Sequence, residues 1–308
     1  MPSIQKKITK DNLFYALSLI SAVSVLFICL GIFFSLLWES RAALKEFGFF
    51  RFIFTADWNY GESVFGAVRP LLGSILTSVI AVGIAAPMGI GIAVFLTELC
   101  PSFLRGFFST AVELLAAVPS IIYGMWGLFV FAPFLEKTVQ KAAAASLGEL
   151  PLIGSIFQVH YAGGIGLFTA GLTLSIMVLP FITGVAREAL ACVPKELKEA
   201  GYGLSAERWE VVRDVSLPYV RRSINGGVVI AAGRALGETM AIAYIIGNMN
   251  ISLTSVFDPY VTVTSVLVNE FNEASGLQMS SLFLLALLLF VLNFSTLALA
   301  KLYILREK

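Results

Sequence analysis

Residues 12–38 contain no charged side chain, and neither do 70–97, 114–135, 150–186 or 274–300. Each run reaches the roughly 20 residues that a bilayer-spanning helix needs. A further run, 223–257, would join them but for two charges, Arg234 and Glu238. The composition fits only one solvent. The 308 residues are 58% hydrophobic and 13% charged, where a soluble domain carries about 25% charged residues. A water-soluble globule of this length has no interior large enough for that much apolar side chain. The chain is an integral membrane protein.

A β-barrel would read as short segments of alternating polarity. These runs are continuous, so an all-α polytopic fold is expected, with six transmembrane helices near 13–38, 71–97, 107–133, 166–187, 224–248 and 279–304. The first run far exceeds the roughly 7–15 apolar residues of a signal-peptide core, so it is expected to stay in place. Two parts are expected: residues 1–70, a transmembrane helix with an outer interfacial loop, and residues 71–304, a core of five helices that includes an inner loop at 187–223.

Orientation follows from the cations. With the N-terminus inside, fourteen Lys and Arg fall in inner segments and six in outer ones, leaving Arg234 within a span. Basic residues favour the cytoplasmic side, so both termini are expected there. A reporter fused after Lys308 should read cytoplasmic, and one near Glu149 external. An external C-terminus would sink the six-span topology.

The outer loops are too small to form a separate binding domain. The aromatics of FGFFRFIFTADWNYG (47–61) suggest a segment at the membrane interface, and KAAAASLGELP (141–151) a short helix. His160 is expected to be a solvated loop histidine. Cys29, Cys100 and Cys192 have no metal-ligand spacing and imply no disulfide framework. No phosphate-binding G-x-x-x-x-G-K-[ST] loop occurs, and no zinc or nucleophile constellation. An enzyme is not indicated, no cofactor is implied, and a net charge of +1 gives no reason to expect nucleic acid.

The inner loop 187–223 carries seven basic and six acidic residues. Pro194 suits a first helical turn, after which Leu197, Ala200, Gly201 and Leu204 share a face. Ser205 can cap a second short helix over 206–214 that presents Trp209. Such a pair is either a docking surface or a connector lying on the membrane.

Within it, EAGYGLSAERWEVVRDVSLP (199–218) resembles the EAA loop of ABC importer permeases. Glu199, Ala200, Leu217 and Pro218 match in register; Gly201, Ser205 and Val215 replace an alanine, a glycine and an isoleucine. RPLLGSILTSVI (69–80), ELLAAVPSIIYGMWGLFVF (113–131) and GRALGETMAIAYIIGN (233–248) are similar to the PstC-type permeases of phosphate-specific ABC importers. The resemblance implies the type I, MetI-like permease fold in a bacterial inner membrane. It also implies an ATPase-coupling role for Glu199, Ala200, Gly201, Ser205, Trp209, Leu217 and Pro218. As partners it implies a second, PstA-like permease in a heterodimer, two PstB-like ATPases that supply the hydrolysis, and an external phosphate-binding protein.

Arg234 and Glu238 are the remaining anomaly. A charge at mid-bilayer costs on the order of 2.5–3.5 kcal/mol even on lenient scales. The two lie four residues apart and can neutralise each other, although acid-before-base is the favoured order on a helix and this pair runs the other way. Gly233 and Gly237 have the G-x-x-x-G spacing of close helix packing. The functional reading is an anion path: arginine offers a planar fork matched to phosphate oxygens, and Glu238 can accept a hydrogen bond from a protonated phosphate, which sulfate cannot give. The resemblance implies that role for both. Glu113 is expected to be an interfacial carboxylate. Pro87, Pro119 and Pro180 are expected to kink spans, and Tyr123 and Trp126 to serve packing. The competing classes are a self-contained anion channel or ion-coupled carrier, an importer of another oxyanion, and a permease-shaped signalling subunit. A carrier commonly shows two related halves, and no internal repeat is evident here.

Overall fold

A computed structural model describes residues 2–148 and 154–306, so Glu149 and the end of the 141–151 segment lie outside the described residues. The helices are α1 Pro2–Glu39, α2 Arg41–Phe47, α3 Phe49–Phe54, α4 Val68–Val94, α5 Ser102–Ala117, α6 Ser120–Trp126, α7 Ala132–Leu135, α8 Lys141–Leu147, α9 Leu167–Ala191, α10 Lys195–Gly203, α11 Arg208–Glu210, α12 Leu217–Leu236, α13 Met240–Ile245, α14 Val263–Glu270 and α15 Gly276–Arg306. Wider π-helical turns extend several of them, including Phe95–Leu99 after α4 and Val211–Ser216 between α11 and α12. Among the described residues there are no strands, only isolated bridges.

Four helices, α1, α4, α9 and α15, are long and apolar enough to cross a bilayer; the bent pair running from Ser102 to Leu147 makes a fifth. Burial orders them. The most apolar stretch of α9 is 67% buried and that of α1 not at all, so α9 is the centre and α1 the periphery. α4 packs along α9 through a stripe of small residues: Ser74, Thr77, Ser78, Ala81, Ala85, Gly89 and Ala93 are buried at helical spacing. A β-carbon on Gly89 would come within 3.1 Å of Ile182. The hydroxyls in that stripe donate to carbonyls one turn back, Thr77 to Gly73 at 2.8 Å and Ser78 to Ser74 at 2.8 Å, which removes their cost in an apolar seam. The end beside residues 187–223 closes over Ala186, Leu190, Val220 and Ile224. The opposite end closes over Phe52, Phe65, Val263 and Leu285. The aromatic loop segment is thus divided, with Phe52 buried and Phe49, Phe50 and Phe54 exposed.

Two expected spans are not single helices. The one placed at 107–133 begins at Ser102 and turns by 90° at Val118–Pro119. Proline removes the N–H that would meet the Leu115 carbonyl, and the Tyr123 hydroxyl donates to that carbonyl instead, at 2.8 Å. Pro87 and Pro180, by contrast, stay inside unbroken helices. The span placed at 224–248 is two helices, α12 and α13, separated by Gly237, Glu238 and Thr239. With this break it is not among the helices long and apolar enough to cross alone.

Ser205 does not cap the second inner helix. Glu207 does, in a reciprocal arrangement with Glu210 whose carboxylate accepts from the Glu207 N–H at 2.8 Å. Ser205 instead ends α10 at φ +64°. Its N–H donates to the Tyr202 carbonyl at 2.9 Å and that of Ala206 to Gly201 at 3.3 Å, the paired bonds of a Schellman ending, whose left-handed position prefers glycine. Left-handed backbone costs a non-glycine residue roughly 1–2 kcal/mol. Ser205→Gly is therefore expected to stabilise this loop by about 1 kcal/mol, read as a rise in the thermal midpoint in detergent; an unchanged or lower midpoint would contradict the turn geometry.

Candidate functional site: a broken helix carrying two charges

Arg234 lies in the last turn of α12 and Glu238 in the break before α13. The negative end of a helix dipole favours a cation and the positive end an anion. A base-then-acid order, unfavourable within one helix, suits two helices meeting end to end. Gly237, at φ −91° and ψ 0°, terminates α12.

The two side chains make no ion pair with each other; the ion pairs among the described residues lie elsewhere. Arg234 is exposed, and its guanidinium carbon stands 4.3 Å from the centre of the Phe181 ring on α9. Ring stacking of this kind orients the fork while leaving its N–H edges open. Glu238 is 9% exposed. Its Oε1 lies 3.5 Å from the Ala241 N–H in the first turn of α13, and its backbone carbonyl accepts from Thr264 Oγ1 at 2.8 Å. Thr239 Oγ1 donates to the Gly237 carbonyl at 3.1 Å. The unwound backbone is thus satisfied locally, the condition for irregular chain at membrane depth.

The glycines divide their roles. A β-carbon on Gly233 would lie 3.0 Å from Asn293 Oδ1 on α15, so this glycine seats α12 against α15. That Asn293 Oδ1 is buried in the seam without a hydrogen-bond partner. Around Gly237 nothing approaches within 3.7 Å. Phe181, Thr264 and Asn293 were invisible in the sequence pattern because each comes from a different helix. The Gly-Glu-Thr run did carry a signal for the break, a terminating glycine followed by residues suited to a helix start.

Other expected residues fall outside this cluster. Glu113 pairs with Arg187 at 3.1 Å, both partly exposed. Tyr123 is buried, and Trp126 stacks on Phe131 at 4.9 Å. His160 is not simply solvated: its Nδ1 lies 2.8 Å from Oδ1 of Asp258, which is buried. Burial pushes the Asp258 carboxyl up, but hydrogen bonds from Thr254, His160 and the Ser255 N–H outweigh it and hold the group below the usual carboxylate range. That cluster ties the loop around 160 to the loop around 255. No group of three metal-ligating side chains occurs among the described residues.

On the inner side, Glu199, Ala200, Ser205, Trp209 and Pro218 are exposed, while Gly201 and Leu217 are half-buried. Gly201 lets α10 approach Val211, where a β-carbon would stand at 3.1 Å. Trp209, 53% exposed, is held by a bond from Nε1 to Glu207 at 2.9 Å and by the Arg213 guanidinium 4.4 Å over its ring.

Residues 85–306 match the family described as the binding-protein-dependent transport system inner membrane component. The phosphate transport system permease protein PstC of Mesorhizobium japonicum is 47% identical over 300 residues, covering 96% of this chain and 90% of the relative. The chain belongs to the PstC permease family. The PstC of Pasteurella multocida is 45% identical, covering 92% and 88%. The probable PstC of Methanocaldococcus jannaschii is 34% identical, covering 88% and 85%. Among solved structures, the inward-facing MetNI methionine ABC transporter aligns at TM-score 0.60 and 16% identity, over 79% of this chain and 96% of that one. A bacterial alginate ABC transporter aligns at 0.62 and 16%, over 96% and 94%. At that identity the likeness establishes the fold alone: this PstC-family member is an all-α, multi-pass inner-membrane permease of MetI-like architecture.

Proposed function

We propose that this chain is the permease subunit of an ATP-driven importer of inorganic phosphate, with Arg234 and Glu238 on the path of the anion. The observation that carries the reading is the arginine fork, oriented on Phe181 at the end of α12 and unpaired with Glu238 among the described contacts, in a chain 47% identical to a phosphate permease. A fork with open donors matches two oxygens of a tetrahedral anion, and a carboxylate one turn on accepts a hydrogen bond from a protonated phosphate, a donor that sulfate lacks.

The chain would act in a heterodimer with a PstA-like permease. Two PstB-like ATPases would supply hydrolysis, one of them docking on Glu199, Ala200, Gly201, Ser205, Trp209, Leu217 and Pro218 of this chain, and a phosphate-binding protein would deliver substrate from outside. Residues 1–70 would form the peripheral span and outer loop, 71–304 the core, with both termini cytoplasmic. Purification from native membranes, with identification of co-purifying proteins, tests the assembly. Labelled phosphate uptake in cells lacking other phosphate transporters tests the substrate. Uptake that persists without any ATPase would favour a self-contained channel or carrier, and equal competition by sulfate would favour another oxyanion.

A further inference from the structure

The inner end of α4 carries an ion pair that has no part in the anion path. Glu98 lies in the π-helical turn Phe95–Leu99, and its Oε1 is 2.5 Å from Nζ of Lys198 on α10. The side chains are 11% and 22% exposed respectively, so the pair is largely withdrawn from water, where losing one partner leaves a costly lone charge. Val94 and Leu99, beside the same turn, share a groove with Trp209, Val212 and Leu217. The end of α4 is therefore tied to α10 by this ion pair and faces α11 across the groove.

The outer end of α4 is attached as well. Gly73 lies so close under the outer loop that a β-carbon would be 1.8 Å from the Val261 carbonyl oxygen. Ser74 Oγ accepts from the Val263 N–H at 3.0 Å. The next residue, Thr264, donates to the Glu238 carbonyl at 2.8 Å. From Ser74 to Glu98 is 24 positions along α4 and the π-helical turn that continues it, about 36 Å at 1.5 Å per residue. Pro87 removes one bond of the ladder, to the Gly83 carbonyl, but the helix continues unbroken through it, and an unbroken helix attached at both ends transmits displacement rather than absorbing it.

We infer that α4 is a strut through which the inner loop moves the helix break at Glu238, with Glu98 and Lys198 as the positioning residues that fasten it to that loop. The inference rests on the inner loop being the ATPase-docking element. It predicts a coupling defect: with the pair broken, hydrolysis continues but no longer shifts the break.

The test uses the full complex with its partner permease, ATPases and receptor, reconstituted in vesicles, and reads phosphate moved per ATP hydrolysed. Glu98→Gln and Lys198→Gln are each expected to retain the ATPases and to lower that ratio roughly tenfold, the scale of ordinary coupling between sites. The reversed pair, Glu98→Lys with Lys198→Glu, is expected to recover most of the loss. A wild-type ratio in the single variants would overturn the inference, as would a reversed pair no better than they are. Loss of the ATPases in the singles would overturn it too, because the pair would then secure docking alone. A reversed pair that fails to accumulate would assign the pair to folding and overturn the coupling role in the same way. Failure of the docking reading itself appears separately, as Trp209→Ala that keeps its ATPases and its coupling.

Discussion

Replacing Arg234 with glutamine is expected to abolish phosphate uptake while the protein still accumulates and assembles. Glutamine keeps much of the volume but loses the charge and most of the fork. Two charge-assisted hydrogen bonds at about 1.5–3 kcal/mol each make the loss on the order of 100-fold or more. Arg234→Lys keeps a point charge without the bidentate geometry, so it should fall between glutamine and wild type. Glu238→Gln retains a carbonyl oxygen able to face the Ala241 N–H, so membrane abundance should hold while uptake drops. The double variant decides between readings. Were the two residues a neutralising pair, removing both charges would restore what removing one destroys. The separation of the two side chains, one on Phe181 and one at the start of α13, leads to the opposite expectation. The double variant should reach normal abundance and transport nothing. Uptake that returns with abundance would remove Arg234 and Glu238 from the path.

Trp209→Ala should have the second largest effect, on assembly rather than on the fold. An exposed surface substitution usually changes stability by no more than about 0.5 kcal/mol. Truncating an aromatic anchor at an interface typically costs about 2 kcal/mol or more, roughly 30-fold in affinity. The side chain is exposed yet held in one orientation by Glu207 and Arg213, the state of a group prepared for a partner. Trp209→Ala is thus expected to leave the permease intact and to lose most of its co-purifying ATPase. Glu199→Lys, which reverses an exposed charge on α10, should act in the same direction. Wild-type co-purification and wild-type receptor-stimulated hydrolysis in both variants would refute the docking assignment.

The spans were legible because mid-bilayer segments admit few charges, so a sequence of uncharged runs is close to a map of helices. The breaks were legible only in part. Pro119 and the Gly-Glu-Thr run mark their places, but the size of the 90° turn and the bond by which Thr264 satisfies the Glu238 carbonyl carry no local signal. Arg234 and Glu238 stood out as charges in an apolar run, in an order unfavourable within one helix; the break gives that order a reason. The resemblance identified position 205 as a glycine site, and the structure shows why: it is a left-handed helix ending that serine occupies at a cost. His160 with Asp258, and Glu98 with Lys198, could not be paired from sequence, since each pair is about a hundred residues apart and no local pattern links them.

The right-angle bend at Pro119 also bears on how the protein meets its lipid. Two limbs at 90° cannot both run along the bilayer normal. The first, 16 residues or about 24 Å, is shorter than the roughly 20 residues that a span needs, and Phe103, Phe107 and Leu114 are exposed along it. A limb too short to cross forms an apolar ledge rather than an upright pillar. Thickness mismatch on an upright helix is relieved by tilting, but a ledge has no such freedom, so leaflet strain there would act directly on the bend that Tyr123 secures.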